Sequence, residues 1–136
     1  MVPSSDWPSG APSEAVRRSV LVVEDELLIR LIVSDELREA GYDVIEAFNA
    51  DEALTILRSP APVDLIISDV RMPGSVDGLG LLVFVREAFP EIPVILTSGH
   101  LEAAHALASG AIQFLPKPFG LEVILGAVQN ALKGPA

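Results

Sequence analysis

Acidic residues follow two short apolar runs of this chain, a lysine follows another, and a serine follows a fourth. The residues at these run ends are Glu24, Asp25, Asp69, Ser98 and Lys117. Carboxylates gathered beside a lysine suit a cation-assisted phosphoryl acceptor. Asp69 would be the nucleophile, and a divalent ion with the lysine would balance the charge on the transferred group. This chemistry requires a fold that brings the run ends together.

The chain alternates strand-like and helix-like patterns five times. The strand-like runs are 20–23, 43–47, 64–68, 93–97 and 112–115, and the helix-like segments are 26–40, 51–58, 79–89, 101–109 and 121–133. Continuously apolar runs are typical of buried parallel strands, which need helical crossovers. The sequence therefore predicts an α/β fold with a doubly wound five-stranded parallel sheet, order 2-1-3-4-5, flavodoxin-like (βα)5.

In that order all the candidate residues lie at one edge of the sheet, outside the carboxyl ends of the strands, where such folds bind ligands. Oxygen ligands in an open site that also meets phosphate favour Mg²⁺ over Ca²⁺. The Ser98 hydroxyl could donate to a phosphoryl oxygen.

Each residue taken alone has a simpler interpretation. The acids at 24–26 could merely open a helix, where its dipole favours them. Asp69 could be a turn residue, Lys117 a surface loop residue, and Ser98 a helix cap. None of these interpretations explains why all of them fall on one edge.

Composition narrows the class of protein. The 136 residues suit one domain, half of them are apolar, and the net charge of −10 argues against direct binding to nucleic acid or anionic lipid. There is no cysteine, and no apolar run approaches a membrane span, so we expect a cytoplasmic protein. Residues 1–18, rich in proline and serine with Trp7 as the lone aromatic, are expected to form a flexible tail before a domain at 19–133.

The motifs in this order closely resemble the receiver domain of two-component response regulators. The matching segments are Val20-Leu21-Val22-Val23-Glu24-Asp25, Ile67-Ser68-Asp69-Val70-Arg71-Met72-Pro73, Pro93-Val94-Ile95-Leu96-Thr97-Ser98-Gly99 and Leu115-Pro116-Lys117-Pro118-Phe119. The resemblance covers about residues 19–133. The loop 72–78 departs from it by one extra residue, and Gly99 replaces the usual alanine.

The resemblance implies a role for each matching residue. Asp69 would be the phosphoacceptor and Asp25 a direct Mg²⁺ ligand, with Glu24 holding the ion through water and the Arg71 backbone carbonyl completing the shell. Ser98 would be the switch hydroxyl and Lys117 the phosphate-binding lysine. Phe114 falls where the family often places a mobile aromatic, and the Lys117–Pro118 bond is usually cis.

The leading functional hypothesis is a stand-alone receiver that takes a phosphoryl group from a histidine kinase or phosphotransfer protein. It would signal to an unknown downstream protein and would not turn over an external substrate. A phosphatase of the haloacid dehalogenase type is the enzymatic alternative, but Arg71 stands where its second aspartate would be needed. A receiver fragment of a transcription factor is a third possibility.

Helical periodicity predicts two interaction surfaces. On the first helix Leu28, Ile29, Ile32, Val33 and Leu37 form one core arc, and Leu27 and Leu31 fall outside it. The resemblance implies that this helix faces the phosphodonor protein, so Leu27 and Leu31 are predicted to form part of the docking surface. On the last helix the expected buried stripe is Leu121, Ile124, Leu125, Val128 and Leu132, with Val123 and Ala127 extending the apolar surface to a second side. That helix, with the helix 101–109 and strand 112–115, is the predicted output face and possible homodimer interface.

Overall fold

The computed structural model describes residues 17–99 and 109–133 of the chain. The described elements are β1 (Ser19–Val23), α1 (Leu27–Glu39), β2 (Asp43–Ala47), α2 (Ala50–Leu57), β3 (Leu65–Asp69), α3 (Gly78–Ala88), β4 (Val94–Ser98), β5 (Gln113–Pro116) and α4 (Leu121–Lys133). The predicted tail up to residue 16 and the predicted helix 101–109, apart from Ser109, lie outside the described residues.

The five strands form one parallel sheet in the order β2-β1-β3-β4-β5, which confirms the predicted fold class and topology. The register pairs Val23 with Ser68 and Asp69 with Thr97, so the residues that follow β1 and end β3 come to the same edge. Pro116, which lacks an N–H group, pairs with Ser98 at the end of β5. Because β5 is an edge strand, this proline is tolerated there.

Local capping sets several element boundaries. Asn49 accepts the Glu52 backbone N–H at 2.8 Å, and the Glu52 carboxylate accepts the Phe48 N–H at 2.8 Å. This reciprocal pair satisfies donors that the first turn of α2 leaves free. Gly41 ends the first helical unit with φ +102°, in the left-handed region that glycine adopts without steric cost.

The sheet separates two apolar layers. One layer includes Leu21, Ile66, Leu96 and residues of α2 and α3, such as Ala53, Leu81 and Leu82. The other includes Val20, Val22, Ile67, Ile95 and residues of α1 and α4, such as Leu37 and Ile124. Both faces of the sheet are therefore covered, as a parallel sheet requires.

The predicted core arc of α1 is wrong at two positions. Leu28 is 70% exposed and Ile32 is 45% exposed. The buried residues of this helix are Val33, Ser34 and Leu37. These residues span about 100° of the helix, so the inward face is centred near Leu37, and Leu28 lies on the opposite side of the helix. Leu27 and Leu31 are exposed, as predicted, at 57% and 40%.

The last helix also differs from its predicted pattern. Ala127 is only 5% exposed and packs in the same layer as Ile124 and Val128, so it does not extend an outer apolar surface. Leu121, Leu125 and Leu132 are only partly buried. Val123, at 47% exposed, does lie on the outer side as expected.

Candidate functional site

Three carboxylates converge at the carboxyl edge of the sheet. Glu24 and Asp25 follow β1, and Asp69 ends the neighbouring strand β3. One carboxylate oxygen from each residue lies within 4.8 Å of the others. Glu24 and Asp69 are 4% and 7% exposed, whereas Asp25 faces solvent. The site is therefore a partly enclosed acidic cluster with one open side.

Lys117 bridges two of these acids. Its Nζ lies 3.0 Å from Glu24 Oε1 and 3.2 Å from Asp69 Oδ2. The residue follows β5 directly, and its backbone N–H donates to the Ser98 carbonyl at 2.7 Å, which holds it beside the end of β4. The Lys117–Pro118 peptide bond is cis, as the sequence resemblance implied. The Lys117 side chain thus contacts two carboxylates that lie 93 and 48 residues before it in the sequence.

Burial dominates the electrostatics of the two enclosed acids. Desolvation raises the pKa of Glu24 above its usual value, the Asp69 charge adds to the rise, and the hydrogen bond from Lys117 opposes it. Desolvation likewise raises the pKa of Asp69, against the lowering effect of Lys117 and of a hydrogen bond from the Arg71 backbone N–H. Burial lowers the pKa of Lys117, but its carboxylate partners outweigh that effect, and the pKa lies above the usual lysine value.

The start of α3 lies directly against the end of β3, next to Asp69. A Cβ atom on Gly78 would lie 2.1 Å from the Asp69 carbonyl oxygen, and the Gly78 N–H donates to the Val70 carbonyl at 2.8 Å. Only glycine fits this approach of α3 to the strand end. Sequence reasoning missed Gly78, although a glycine directly after the helix cap Asp77 was a usable signal.

The long loop between β3 and α3 is tied to a neighbouring helix. The Ser75 hydroxyl donates to Asp51 Oδ1 at 3.0 Å, and Gly74 has φ +114°. The extra residue of this loop is therefore accommodated by a turn that leans on the start of α2.

Arg30, on α1, holds the backbone of Glu24 in place. Its Nη1 donates to the Glu24 carbonyl at 2.8 Å, and its Nε lies 3.1 Å from Glu46 Oε1. This residue was also missed at the sequence level. An arginine six positions after a candidate ligand, on a helix that leaves the same strand end, was the available signal.

The other residues that the sequence predicted for the site lie on β4, β5, α1 and the loop after β3. Ser98 ends β4 at the same edge and is 1% exposed. Phe114 lies further back on β5, opposite Leu96, and packs partly buried against the α2–α3 layer. Leu27 and Leu31 are on the first turns of α1, just after the acidic segment. Arg71 is exposed in the loop after β3, with its backbone N–H on Asp69.

The donor set fits a hard divalent cation. Three carboxylates supply only oxygen ligands, and two of them resist ionisation because of burial and mutual repulsion. A dication held among them would offset that repulsion, and Mg²⁺ accepts such oxygen ligands together with water.

The family model for the response regulator receiver domain matches residues 20–129. This chain belongs to the receiver family of two-component systems. The receiver domain of NtrX from Brucella abortus is similar, with 36% identity and a TM-score of 0.79, over 85% of this chain and 98% of that one. A receiver domain protein from Clostridium thermocellum matches with 28% identity and a TM-score of 0.78, over 85% of this chain and 94% of that one.

Curated relatives are longer than this receiver. The DNA-binding transcriptional regulator NtrC of Salmonella typhimurium is 37% identical over 119 residues, which are 85% of this chain and 25% of the relative. A putative NtrX-like response regulator of Rickettsia felis is 37% identical over 116 residues, 82% of this chain and 24% of the relative. The chain thus spans about a quarter of the length of these relatives. Among the described helices, none is long and apolar enough to cross a membrane.

Proposed function

We propose that this receiver accepts a phosphoryl group on Asp69 from a histidine kinase or phosphotransfer protein, in a reaction that needs Mg²⁺. The observation that carries the proposal is the bridge from Lys117 to Asp69 and Glu24 beside a third carboxylate. An enclosed carboxylate paired with a lysine is suited to nucleophilic attack, after which the lysine can stabilise the phosphorylated product.

In the transfer, an Asp69 carboxylate oxygen forms a bond to phosphorus as the phosphorus–nitrogen bond of the donor histidine breaks. The electron pair of that bond stays on the imidazole. Lys117 then exchanges its contact with Asp69 Oδ2, 3.2 Å away, for an oxygen of the phosphoryl group. Asp25, Glu24 through water, Asp69 and the Arg71 carbonyl would hold Mg²⁺, which supplies positive charge to the transferred group.

Phosphorylation would be transmitted through Ser98, whose hydroxyl can donate to a new phosphoryl oxygen. Phe114, on the neighbouring strand β5, would then change its side-chain packing. The output would be a contact with a downstream protein or a second copy, through β5, α4 and the predicted helix 101–109, most of which lies outside the described residues. Light scattering with and without beryllofluoride would test the homodimer.

One observation favours a second possibility for the whole protein. The NtrC and NtrX-like relatives carry about three quarters of their length outside the match. The chain would then be the receiver part of a larger regulator. Immunoblotting of the host with an antibody against residues 19–133 gives the mass of the natural protein and separates the two possibilities. No observation favours the haloacid dehalogenase phosphatase.

The assignment of Asp69 is tested by labelling with a small phosphodonor. The wild-type protein should incorporate an acid-labile group in Mg²⁺ and not in EDTA, and Asp69→Ala should not be labelled. Asp51→Ala is the matched control, since Asp51 is a nearby carboxylate that bonds Ser75 outside the cluster, and it should label normally. Full labelling of Asp69→Ala would place the acceptor elsewhere.

A further inference from the structure

An apolar groove lies beside the acidic cluster, between α1 and the start of α4. Its volume is about 480 Å³. Three residues of α1 form one wall and the segment after Lys117 forms the other; they are Ile29, Ile32, Val33, Pro118, Phe119 and Leu121. Lys117 lines the end nearest the acids. A groove of this size can enclose one large aromatic side chain with a neighbouring small residue.

The rim of this groove is unusually apolar for a water-exposed helix. Ile32 is 45% exposed although it lines the groove, and Leu28, one turn before it, is 70% exposed. Exposed apolar side chains beside a groove are typical of a surface that binds another segment or partner. With Val33, Ser34 and Leu37 inward, Ile32 lines the groove at its exposed margin and Leu28 faces solvent.

Residues 1–16, outside the described part of the chain, contain a side chain that fits such a groove. Trp7 is the only tryptophan of the protein, and it is followed by Pro8. The indole ring combines a large apolar surface with one N–H donor, and it gains most from an apolar slot with a wet rim. The segment carries only two charged side chains, Asp6 and Glu14, so little charge must be desolvated.

The length of this segment allows the contact. Arg17 is held 2.9 Å from Asp43 at the start of β2, so the preceding residues leave from the edge of the sheet opposite the site. The five residues of β1 span roughly 17 Å to the site edge. Nine residues separate Trp7 from Arg17, and at about 3.1 Å per residue a proline-rich extended segment covers roughly 28 Å. Covalent attachment also gives Trp7 an effective concentration in the millimolar range, which a free partner rarely reaches.

We propose that the N-terminal segment of this chain seats Trp7 in the groove between α1 and α4. The segment then covers the apolar surface that adjoins Lys117. The consequence for signalling rests on the proposed function, because a phosphodonor protein that approaches Asp69 over α1 would have to displace the segment. The docking of Trp7 itself requires no phosphorylation, so it can be tested separately.

Tryptophan fluorescence tests the proposal directly, because Trp7 is the sole reporter. In the full chain the emission should be blue-shifted, and acrylamide quenching several-fold weaker, relative to a free peptide of residues 1–16. Ile32→Glu should restore the emission and quenching of the peptide. Val83→Glu is the matched control, since Val83 is 49% exposed on α3, which packs on the other face of the sheet, and it should change neither quantity.

Three results would overturn the proposal. Equal quenching of the full chain and the peptide means that Trp7 is not covered. A shielded Trp7 that Ile32→Glu leaves unchanged, with circular dichroism showing that the variant folds, means that it docks elsewhere. A blue shift that grows with protein concentration, together with a doubled mass in light scattering, assigns the groove to the tail of a second copy.

Discussion

At the scale of single residues, the electrostatics of the site depend on the balance between its three carboxylates and Lys117. Lys117 contacts both enclosed carboxylates, and the side chains of these three residues are between 5% and 18% exposed. A buried carboxylate without a partner costs several kcal/mol, so one lysine shared between two acids leaves the cluster short of positive charge. Burial raises the pKa of Glu24 and of Asp69, and the single lysine does not cancel that rise. The shortage of positive charge therefore favours the binding of a dication.

Gly78 gives a prediction about stability that involves no charge. In Gly78→Ala the new methyl group would meet the Asp69 carbonyl at 2.1 Å, so the backbone of α3 or β3 must shift. We expect a loss of about 2–3 kcal/mol in the free energy of unfolding, the upper range for overpacking. Urea denaturation measures it.

Gly126→Ala is the control for this prediction. Gly126 lies inside α4, and a Cβ atom there has no neighbour within 4 Å. The substitution should stabilise the protein by roughly 0.5–1 kcal/mol, because alanine is the better helix former. If both glycine variants changed stability equally, the close approach at Gly78 would not be what requires glycine there.

At the scale of elements, α1 is the helix whose role depends most on its rotation about its own axis. Its inward stripe passes through Ser34, and Arg30 is drawn to Glu24 and Glu46. As a result Leu27, Leu28, Leu31 and Ile32 all remain exposed. The apolar surface available to a phosphodonor is therefore larger than the two leucines that the sequence indicated.

Leu27 and Leu31 are predicted to form part of the donor-docking surface. The double variant Leu27→Glu/Leu31→Glu should slow phosphoryl transfer from a protein donor at least tenfold, which corresponds to about 1.4 kcal/mol. Labelling by a small donor should be unchanged, since a small donor needs no docking surface on α1. Val83→Glu on α3 is the matched control. Equal losses with both donors would indicate misfolding instead of lost docking.

The pair β4 and β5 carries the predicted switch. Ser98 is buried at the end of β4, and Phe114 is partly buried on β5 against the α2–α3 layer. A phosphoryl group that draws the Ser98 hydroxyl toward it would bias this pair between two arrangements. Ser98→Ala should leave Asp69 labelling largely intact and reduce the NMR shift of Phe114 on beryllofluoride addition. A Phe114 shift of wild-type size in Ser98→Ala would exclude coupling through this hydroxyl.

At the scale of the whole molecule, the negative net charge and the acidic cluster both make ionisation of further carboxylates unfavourable. The chain carries −10 at neutral pH, and its most enclosed carboxylates lie together at one edge. Because the pKa of each carboxyl is raised, the folded state binds more protons than the unfolded state in a pH window that runs from the ordinary pKa, 3.8 for Asp69 and 4.5 for Glu24, up to the raised pKa. The stability contributed by these groups therefore falls as the pH rises through that window toward the raised values.

Mg²⁺ should reverse this pH trend, because it binds only the ionised carboxylates. At about ten times its Kd, Mg²⁺ should raise the free energy of unfolding by about 1.4 kcal/mol. The gain should be largest near about pH 7.5 and shrink near about pH 5, as protons compete for Glu24 and Asp69. Thermal unfolding in MgCl₂, against NaCl of equal ionic strength, measures the difference.

Two carboxylate variants separate site binding from general screening. Asp25→Asn should abolish the Mg²⁺-specific gain, while Asp35→Asn, at an exposed position on α1, should keep it. A gain that survives in Asp25→Asn would mean that Mg²⁺ acts on overall charge.

The order of the elements and the edge of the site were predictable from the amino-acid sequence alone. Short apolar runs such as Val20–Val23, alternating with helix-like segments, are typical of buried parallel strands, and a polar residue directly after such a strand lies at the carboxyl edge of the sheet. Glu24, Asp25, Asp69 and Lys117 therefore converge because of where they stand in the chain, and the structure brings them together as expected.

Features that depend on which surfaces meet were decided only by the tertiary structure. The packing of α1 places Val33, Ser34 and Leu37 inward and lets Arg30 bond Glu24 and Glu46, so hydrophobic periodicity put Leu28 and Ile32 in the wrong place. Ala127 faces the layer that contains Ile124 and Val128, and Gly78 is required because α3 touches the end of β3. Local pattern fixes what each segment becomes, whereas contacts between segments distant in sequence fix how each one is turned.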